Sequence, residues 1–336
     1  MQLSTPVPHV YLLPIPVPLP VRTTNCFALD TGDGFILIDA GMDTPEAREV
    51  WRQYFSALGL TAGRVHFLFV THFHPDHLGL AFWLQDELDA PVVMTQGEAE
   101  MAQRYYRPSP AEWSRIRQFY LAHGVPEEVI NEWRAHDRAV QGAFTLPSRW
   151  TLIQDGETRR VGQVTLLCLE QQGHTQHQGL LYWQEQHVLF TGDQVLARIS
   201  PNISLWPGHD ANPLHSYLAA LGRLAGFNHP QGLGAHGPVV PDVNQRIDEL
   251  VTHHEARNKK ILMLLGEDMH SAYRLTHRLF PRPLDRTEER FAVGETLAHL
   301  EYLRHAGEVT QVMVGGHIGY RRLSSSERRV GHVDHP

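Results

Sequence analysis

The segment that most constrains this chain is His72-Phe73-His74-Pro75-Asp76-His77, which places four potential metal ligands within six residues. It follows RVHFLFV, a short apolar run that predicts a buried strand, and it precedes LGLAFWLQDEL, which predicts a helix. Side chains that follow a strand gather at its C-terminal end, where α/β folds place their sites. Zinc, iron and manganese accept imidazole and carboxylate ligands. The alternative is a turn whose histidines only cap the next helix.

Three more candidate ligands each follow another predicted strand. His174 comes after VTLLCLE, Asp193 after HVLFT and His236 after GLGA, and each has a glycine beside it. A glycine lets the backbone approach closely, so each strand end can aim one side chain at a shared point. A histidine at one strand end is usually an ordinary polar residue, but the repeated order favours a common site. We expect one dinuclear centre formed by seven residues: His72, His74, Asp76, His77, His174, Asp193 and His236.

Alternating strands and helices predict an α/β layered fold, with two sheets facing each other and helices outside. TNCFALD and GFILIDAG predict a hairpin through TGDG, and a helix is expected from Pro45 to about Leu58. Residues 97–144 contain helical patterns, which interrupt the alternation of strands and helices and predict a helical insertion. The strands resume at Trp150.

The C-terminal region has a different pattern. Three helical segments precede EVTQVMVGGHIGYRR, which predicts a hairpin with a Gly-Gly turn. Apolar residues recur at helical spacing in the third segment, at Val293, Leu297, Leu300 and Leu303. Helices followed by a hairpin are the outline of a winged helix. We therefore predict an α/β metal-binding domain at 1–244, with the helical insertion within it, and a small winged-helix-like domain at 245–336.

The charge distribution argues against nucleic acid as a partner. The chain has a net charge of −8, whereas phosphate binding needs an excess of Lys and Arg. From Gln245 onward, 14 Lys and Arg residues are offset by 13 Asp and Glu residues. The third helical segment carries four carboxylates that would repel a phosphate backbone: Glu288, Glu289, Glu295 and Glu301. We expect this region to pack against the rest of the chain or to support a homodimer.

The cysteines and the N-terminal segment indicate a cytoplasmic protein without a membrane anchor. Cys26 and Cys168 both lie in apolar strand-like runs, which favours buried free thiols. The segment LLPIPVPLP alternates apolar residues with proline, which does not resemble a signal peptide. No apolar run approaches the length of a membrane span.

With these motifs in place, the chain resembles the metallo-β-lactamase superfamily over roughly residues 9–243. The resemblance lies in the His-x-His-x-Asp-His pattern and in the later His, Asp and His. It implies an αββα sandwich with two divalent metal ions, zinc in the first instance and iron or manganese as alternatives. HHEARNKKILMLL and the region after it are similar to the lactamase-beta-2-like hydrolases, which carry a winged-helix-like C-terminal domain.

The resemblance also implies roles for individual residues. The first metal is assigned to His72, His74 and His174, the second to Asp76, His77 and His236, and Asp193 resembles the bridging carboxylate. Asp39, in LIDAG, matches an aspartate that supports the site. Gln176 and Ala235 stand where proline is frequent in the family, which affects only the shape of those loops. Four residues are candidates for substrate binding: Arg198, Asn202, Tyr105 and Tyr106.

The implied activity is hydrolysis by metal-activated hydroxide. Two cations about 3.5–4 Å apart can share a water molecule and lower its pKa from about 15.7 to about 7. We expect a small-molecule ester, thioester or lactone substrate, with Asp76 orienting the nucleophile. Two alternatives on the same fold stay open: an endoribonuclease or other phosphodiesterase, and an iron-dependent redox enzyme.

Overall fold

The predicted hairpin near the N-terminus is present and belongs to the larger of two facing sheets. In a computed structural model that describes residues 3–228, 230–266 and 268–330, β3 (Thr23–Asp30) pairs antiparallel with β4 (Phe35–Ile38). Its neighbours in chain order are β1 (Ser4–Val7), β2 (Val10–Pro16), β5 (Val65–Phe69), β6 (Val92–Thr95) and β7 (Trp150–Ile153). The strands follow one another from β1 to β7, antiparallel as far as β4 and parallel from there on.

The second strand lies in the proline-rich segment that precedes the predicted hairpin, a segment for which there is no strand prediction from the sequence. Pro14 and Pro16 lie within β2, opposite Asn25 and Thr23 of β3. On its other side, β2 is paired with β1 only as far as Leu12. Both prolines therefore lie past the part of β2 that pairs with β1. In the part of the chain that the structure describes, no strand on that side requires a hydrogen bond from the N–H that proline lacks.

The second sheet has five strands in the order β12-β11-β10-β9-β8. They are β8 (Thr158–Val161), β9 (Val164–Gln171), β10 (Gln178–Trp183), β11 (Val188–Gly192) and β12 (Gln231–Gly234). A 3₁₀ turn at Gln184–Gln186 joins β10 to β11. Strands β11 and β12 are parallel and the other pairs are antiparallel.

An apolar core lies between the two sheets. Phe27 of the first sheet meets Phe190 of the second edge-to-face at 5.5 Å. The other face of the first sheet is covered by helices through buried residues such as Trp51 and Leu84. These helices are α1 (Pro45–Leu58), α2 (Pro75–Leu78), α3 (Ala81–Leu88) and α4 (Gln96–Tyr106). The predicted α/β sandwich is confirmed.

The boundaries of α1 follow from local chemistry. Thr44 caps the helix by accepting the Ala47 N–H at 3.0 Å, Pro45 occupies the first turn, and Gly59 ends it with φ 64°. The helix predicted from Pro45 to about Leu58 is confirmed.

The chain divides into two compact units, each made of several segments. The first unit contains both sheets and comprises Met1–Arg107, Val140–Pro201 and Gly222–Ile247. The second comprises Pro108–Ala139, Asn202–Leu221 and Asp248–Pro336. The predicted insertion is helical, but only α4 lies in the first unit, whereas α5 (Pro110–Ala122) and most of α6 (Glu127–Ala143) lie in the second. The domain boundary near residue 245 stays a prediction.

The second unit contains the predicted helices and hairpin. Its other elements are α7 (Pro213–Leu224) and α8 (Val243–Leu265), which both begin or end in the first unit, β13 (His270–Ser271), α9 (Ala272–Leu279), α10 (Arg286–His305), β14 (Val309–Val314), β15 (His317–Arg322) and α11 (Ser325–Val330). Strands β14 and β15 form the hairpin around Gly315 and Gly316. The apolar face predicted on α10 is buried, including Val293 and Leu297.

Two further expectations can be compared with the structure. Cys26 and Cys168 are free and buried, as predicted. Among the described residues, no helix is both long enough and apolar enough to span a membrane.

Two buried histidines join α8 to α10 in the second unit. Nδ1 of His254 lies 3.3 Å from Nε2 of His299, whose Nδ1 is 2.7 Å from Oδ1 of Asn258. Burial and neighbouring cationic groups lower the pKa of His254 to about 3, and burial also holds the pKa of His299 well below its usual range. Both rings are therefore neutral in the folded protein at neutral pH.

This pair predicts acid sensitivity. Below about pH 6.5 the unfolded chain binds protons at these histidines while the folded chain does not, so stability falls as pH falls. Each histidine should lower the free energy of unfolding by about 2 kcal/mol between pH 7 and pH 5. In urea unfolding, His254→Gln should reduce that loss, whereas Gln at the exposed position of His215 should not. An unchanged loss in His254→Gln would contradict the argument.

Candidate metal centre

The six-residue motif begins shortly after β5 and turns directly into α2. His74 has an extended backbone, with φ −60° and ψ 150°, and Pro75 opens the helix. Proline is tolerated there because the first N–H groups of a helix have no partner within it. The short helix keeps Asp76 and His77 at the end of the strand, where both are buried.

A first ligand group consists of His72, His74 and His174. Nδ1 of His74 lies 3.0 Å from Nε2 of His72 and 3.0 Å from Nε2 of His174. The ring of His74 stands nearly perpendicular to both of the others, so that the three nitrogens converge. Since Nδ1 of His74 has one lone pair, it can accept one strong hydrogen bond, not two. A cation among the three nitrogens would satisfy all of them.

A second ligand group consists of Asp76, His77 and His236. Oδ2 of Asp76 lies 3.6 Å from Nε2 of His77 and 3.3 Å from Nε2 of His236. The hydroxyl of Thr24 donates a hydrogen bond to the same oxygen at 3.2 Å. The three ligand atoms of each group lie within 4.8 Å of one another.

Asp193 lies between the two groups. Its Oδ2 is 3.5 Å from Nε2 of His174 and 3.6 Å from Nε2 of His77, and its Oδ1 is 3.5 Å from Nε2 of His236. One carboxylate therefore faces ligands of both groups, which is the position that a bridging ligand requires. The structure brings all seven predicted residues together.

Hydrogen bonds behind the ligands determine which nitrogen of each ring faces the centre. Nδ1 of His77 lies 2.8 Å from Oδ2 of Asp39, and Nδ1 of His236 lies 2.9 Å from the carbonyl oxygen of Thr23. Both acceptors require an N–H at Nδ1, so Nε2 is left for a metal. The same holds for His72, whose Nδ1 is 3.0 Å from the Thr71 hydroxyl.

Asp39 organises this supporting layer. Besides His77, it accepts the Thr71 backbone N–H at 2.8 Å and the Thr71 hydroxyl at 3.0 Å. Because that hydroxyl gives its proton to Asp39, its oxygen can accept from His72. Asp39 has φ 59°, a left-handed backbone that aspartate tolerates better than most residues. The residue thus supports a ligand of each group, as the resemblance implied.

The electrostatics of the centre favour a neutral His74 and ionised Asp76 and Asp193, which are the states that metal ligands need. They also favour a proton on His77 and His236, which a bound metal would have to displace. Burial and the neighbouring imidazoles lower the pKa of His74 to about 3, so this ring is neutral. Burial alone would raise the pKa values of Asp76 and Asp193, but His77 and His236 hold both well below their usual range. The nearby carboxylates in turn outweigh burial and raise the pKa of His236 to about 10.

Two buried polar atoms without hydrogen-bond partners indicate that the donor set fits a metal. Among the described residues, Nε2 of His77 and Oδ1 of Asp193 are buried without a hydrogen-bond partner. Leaving a buried polar atom unpaired costs roughly 1–3 kcal/mol. Nitrogen and carboxylate donors that face inward in this way fit a pair of divalent cations, and zinc accepts this set.

Comparison with known proteins agrees with the fold. Residues 19–228 match the metallo-beta-lactamase superfamily, and residues 259–322 match the metallo-beta-lactamase-like C-terminal domain. The chain belongs to the metallo-β-lactamase superfamily. This membership confirms the resemblance drawn from the motifs and supports assignment as a metallo-hydrolase.

Three similar proteins illustrate the relationship. The crystal structure of a metallo-beta-lactamase family protein from Thermus thermophilus is 34% identical, with a TM-score of 0.82, and the match covers 94% of this chain and 99% of that one. A beta-lactamase-like protein 2 homolog from Caenorhabditis elegans is 25% identical over 75% of this chain and 68% of its own length. Thioesterase pkgB from Emericella nidulans is 25% identical over 75% of this chain and 56% of its own length.

The four candidate substrate-binding residues lie in different settings. Tyr105 packs against Phe73 at 5.3 Å, and Tyr106 is buried, with its hydroxyl donating to the Phe73 carbonyl at 2.9 Å. Arg198 is exposed in the first unit. Asn202 lies in the second unit and donates to the Phe291 carbonyl at 3.3 Å. Their contact with substrate stays a prediction.

Sequence reasoning missed several supporting residues. Thr71 stands directly before the motif and could have been noticed from its position. Nothing in the sequence near Thr24 indicates its contact with Asp76, and nothing near Glu98 indicates its contacts with the backbone of the ligand loops. Ala235, where the family often has proline, donates its N–H to the Gly192 carbonyl at 2.9 Å, which a proline could not do.

The position of Asp193 predicts that both metal ions depend on it. Asp193→Ala removes the one carboxylate that faces both ligand groups and leaves two like charges poorly screened from each other. Metal analysis after dialysis should show that the variant retains less of both ions. Asp86→Ala, at an exposed position on α3, is the control. Two retained equivalents would show that Asp193 has another role.

Asp39 gives a second, more selective prediction. In Asp39→Asn the new amide can present its NH₂ group to His77, which favours the tautomer with the proton on Nε2. Loss of such an outer partner costs about 10–100-fold in metal affinity. Zinc titration with a competing chelator should show this weakening. Asp43→Asn, which alters a partly buried ion pair with Arg48 and no ligand, should bind normally. Equal affinities in the two variants would refute the proposed role.

Proposed function

We propose that this protein is a dinuclear zinc-dependent hydrolase that cleaves thioesters, and that it also accepts activated esters or lactones. The observation that carries the proposal is the placement of Asp193 between the two ligand groups. The thioesterase among the similar proteins supports a thioester substrate. Membership of the superfamily supports hydrolysis in general.

The chain's own residues would divide the work as follows. One ion would be held by His72, His74 and His174. The other would be held by Asp76, His77 and His236, and Asp193 would contact both ions. Ions bound there would lower the pKa of water from about 15.7 to about 7 and polarise the substrate carbonyl.

Asp76 is the candidate for proton transfer. Its carboxylate stays ionised beside His77 and His236, so it can accept a hydrogen bond from the attacking water and orient it. Water adds to the carbonyl carbon, the carbon–sulfur bond breaks, and a carboxylic acid and a thiol result. Asp76 would carry the proton from the water to the departing sulfur.

The second unit supports a small-molecule substrate over nucleic acid. The carboxylates of α10 form ion pairs with arginines of the same unit: Glu288 with Arg282 at 2.8 Å, Glu295 with Arg257 at 3.0 Å, Glu289 with Arg286 at 2.9 Å, and Glu301 with Arg304 at 2.8 Å. These contacts neutralise cations that phosphate binding would need. We propose that this winged-helix-like region serves packing or dimerisation.

A substrate panel tests the proposal. Zinc-loaded protein is incubated with an acyl-coenzyme A thioester, a p-nitrophenyl ester, a lactone and bis-p-nitrophenyl phosphate. We expect the thioester to give the highest kcat/KM and the phosphodiester to give no turnover. Hydrolysis of the phosphodiester alone would favour the phosphodiesterase alternative, and oxygen consumption by iron-loaded protein would favour the redox alternative.

A variant tests the role of Asp76. Asp76→Asn should lower kcat by about 10²–10⁴-fold, the range for loss of a general acid–base group, and should weaken metal binding as well. Asp86→Asn makes the same chemical change at an exposed position and should keep full activity. An Asp76→Asn variant that turned over at the normal rate would contradict the proposed proton transfer.

A further inference from the structure

The helix α4 contacts both of the loops that supply the first ligand group. One loop carries His72 and His74, with Phe73 between them. The other carries His174, with His177 three residues later. Side chains of α4, and of Thr95 immediately before it, satisfy backbone groups in both loops.

Phe73 is held at both of its peptide groups. Its N–H donates to Oε2 of Glu98 at 3.0 Å, and its carbonyl oxygen accepts the Tyr106 hydroxyl at 2.9 Å. Its side chain is buried in the core that includes α4. Since Phe73 separates two ligands of the same group, any shift of this residue moves both imidazoles.

His177 is held in the same manner. Its N–H donates to Oε1 of Glu98 at 3.1 Å, and its carbonyl oxygen accepts the Thr95 hydroxyl at 2.6 Å. Its ring lies against Gly97, where an added Cβ would come within 2.0 Å of the ring, and its Nδ1 is 2.7 Å from Oε1 of Glu170. The backbone of this loop therefore has little freedom to move away from α4.

Glu98 joins the two loops through a single carboxylate. The side chain is fully buried, and one oxygen accepts from each loop. Burial raises its pKa to about 7, and the nearby Thr175 hydroxyl and the two N–H groups oppose this rise because they favour the charged form. A buried carboxylate is costly unless hydrogen bonds stabilise it, and here the N–H groups of the two loops supply them.

We propose that Glu98 is a positioning residue that sets the distance between the His72–His74 loop and the His174 loop, and thereby determines the affinity of the first metal. This inference rests on the dinuclear site of the proposed function. Tyr106 then assists by holding the carbonyl of Phe73, so its hydroxyl acts on the metal site and not on substrate.

The test compares metal binding in the wild type and four variants. Glu98→Gln keeps the size of the side chain but replaces one acceptor oxygen by an NH₂ donor, which faces a backbone N–H. Glu98→Ala removes both acceptors, and Tyr106→Phe removes only the hydroxyl bond to Phe73. Glu100→Gln makes the Glu98→Gln change at an exposed position of the same helix and is the matched control.

Each protein is titrated with Zn²⁺ against a chelator and with Co²⁺ while the visible spectrum is recorded. We expect one of two ions to bind about 10–100-fold more weakly in Glu98→Gln and weaker still in Glu98→Ala, with the other ion little changed. Tyr106→Phe, the mildest change, should give a smaller loss at the same site, and the control should match the wild type. The Co²⁺ spectrum of the affected site should change as well.

The outcomes separate this inference from the proposed function. If the wild-type protein binds fewer than two ions, the proposed dinuclear function fails. If the wild type binds two ions and folded Glu98→Gln and Tyr106→Phe bind both with wild-type affinity, Glu98 has only a structural role and the inference is overturned. Equal weakening of both ions would also overturn it.

Discussion

The structure depends on the convergence of five imidazoles and two carboxylates, most of them buried, at one point beside the ends of two sheets. Charged and polar groups are costly to bury unless each has a partner. The partners here form a layer behind the ligands. Asp39 binds His77, Thr71 binds His72, and the Thr23 carbonyl binds His236. Glu98 accepts the backbone N–H groups of Phe73 and His177. That layer orients the rings so that their ligand nitrogens face one another, which is the arrangement that suits metal binding.

The sheets explain why these groups meet. Strands β4 to β7 are parallel, and so are β11 and β12, so that the loops after β4, β5 and β11 leave from strand ends that lie side by side in their sheets. The sheets approach closely near the site, where Gly179 of β10 leaves only 2.8 Å between an added Cβ and the Phe69 ring. A larger residue there would push the sheets apart and separate His174 and Asp193 from the motif after β5.

Much of this could be predicted because the signals are local. The cap at Thr44, the hairpin at TGDG, the helical insertion and the buried face of α10 each depend on residues within a few positions of one another. The errors and omissions have a different origin. Strand β2 contains prolines that usually exclude a strand, and β8 (TRRV) has no apolar pattern of its own. Strand β8 forms because it pairs with β9, so the contacts that stabilise it come from another segment and are not visible in the residues of β8 alone.

The sequence by itself determined the candidate ligand set, the α/β class and the superfamily, because the spacing of these residues and the order of strands and loops are local properties of the chain. Only the tertiary structure decided which atoms support the ligands. Thr24 lies 52 positions from Asp76, and Glu98 lies 79 positions from His177. Neither contact has a pattern in the chain, since hydrogen bonds between distant segments form only when packed strands and helices bring them together. The same reason explains why Tyr106 supports Phe73 through a buried hydroxyl, a contact that its place in an aromatic-rich insertion did not indicate.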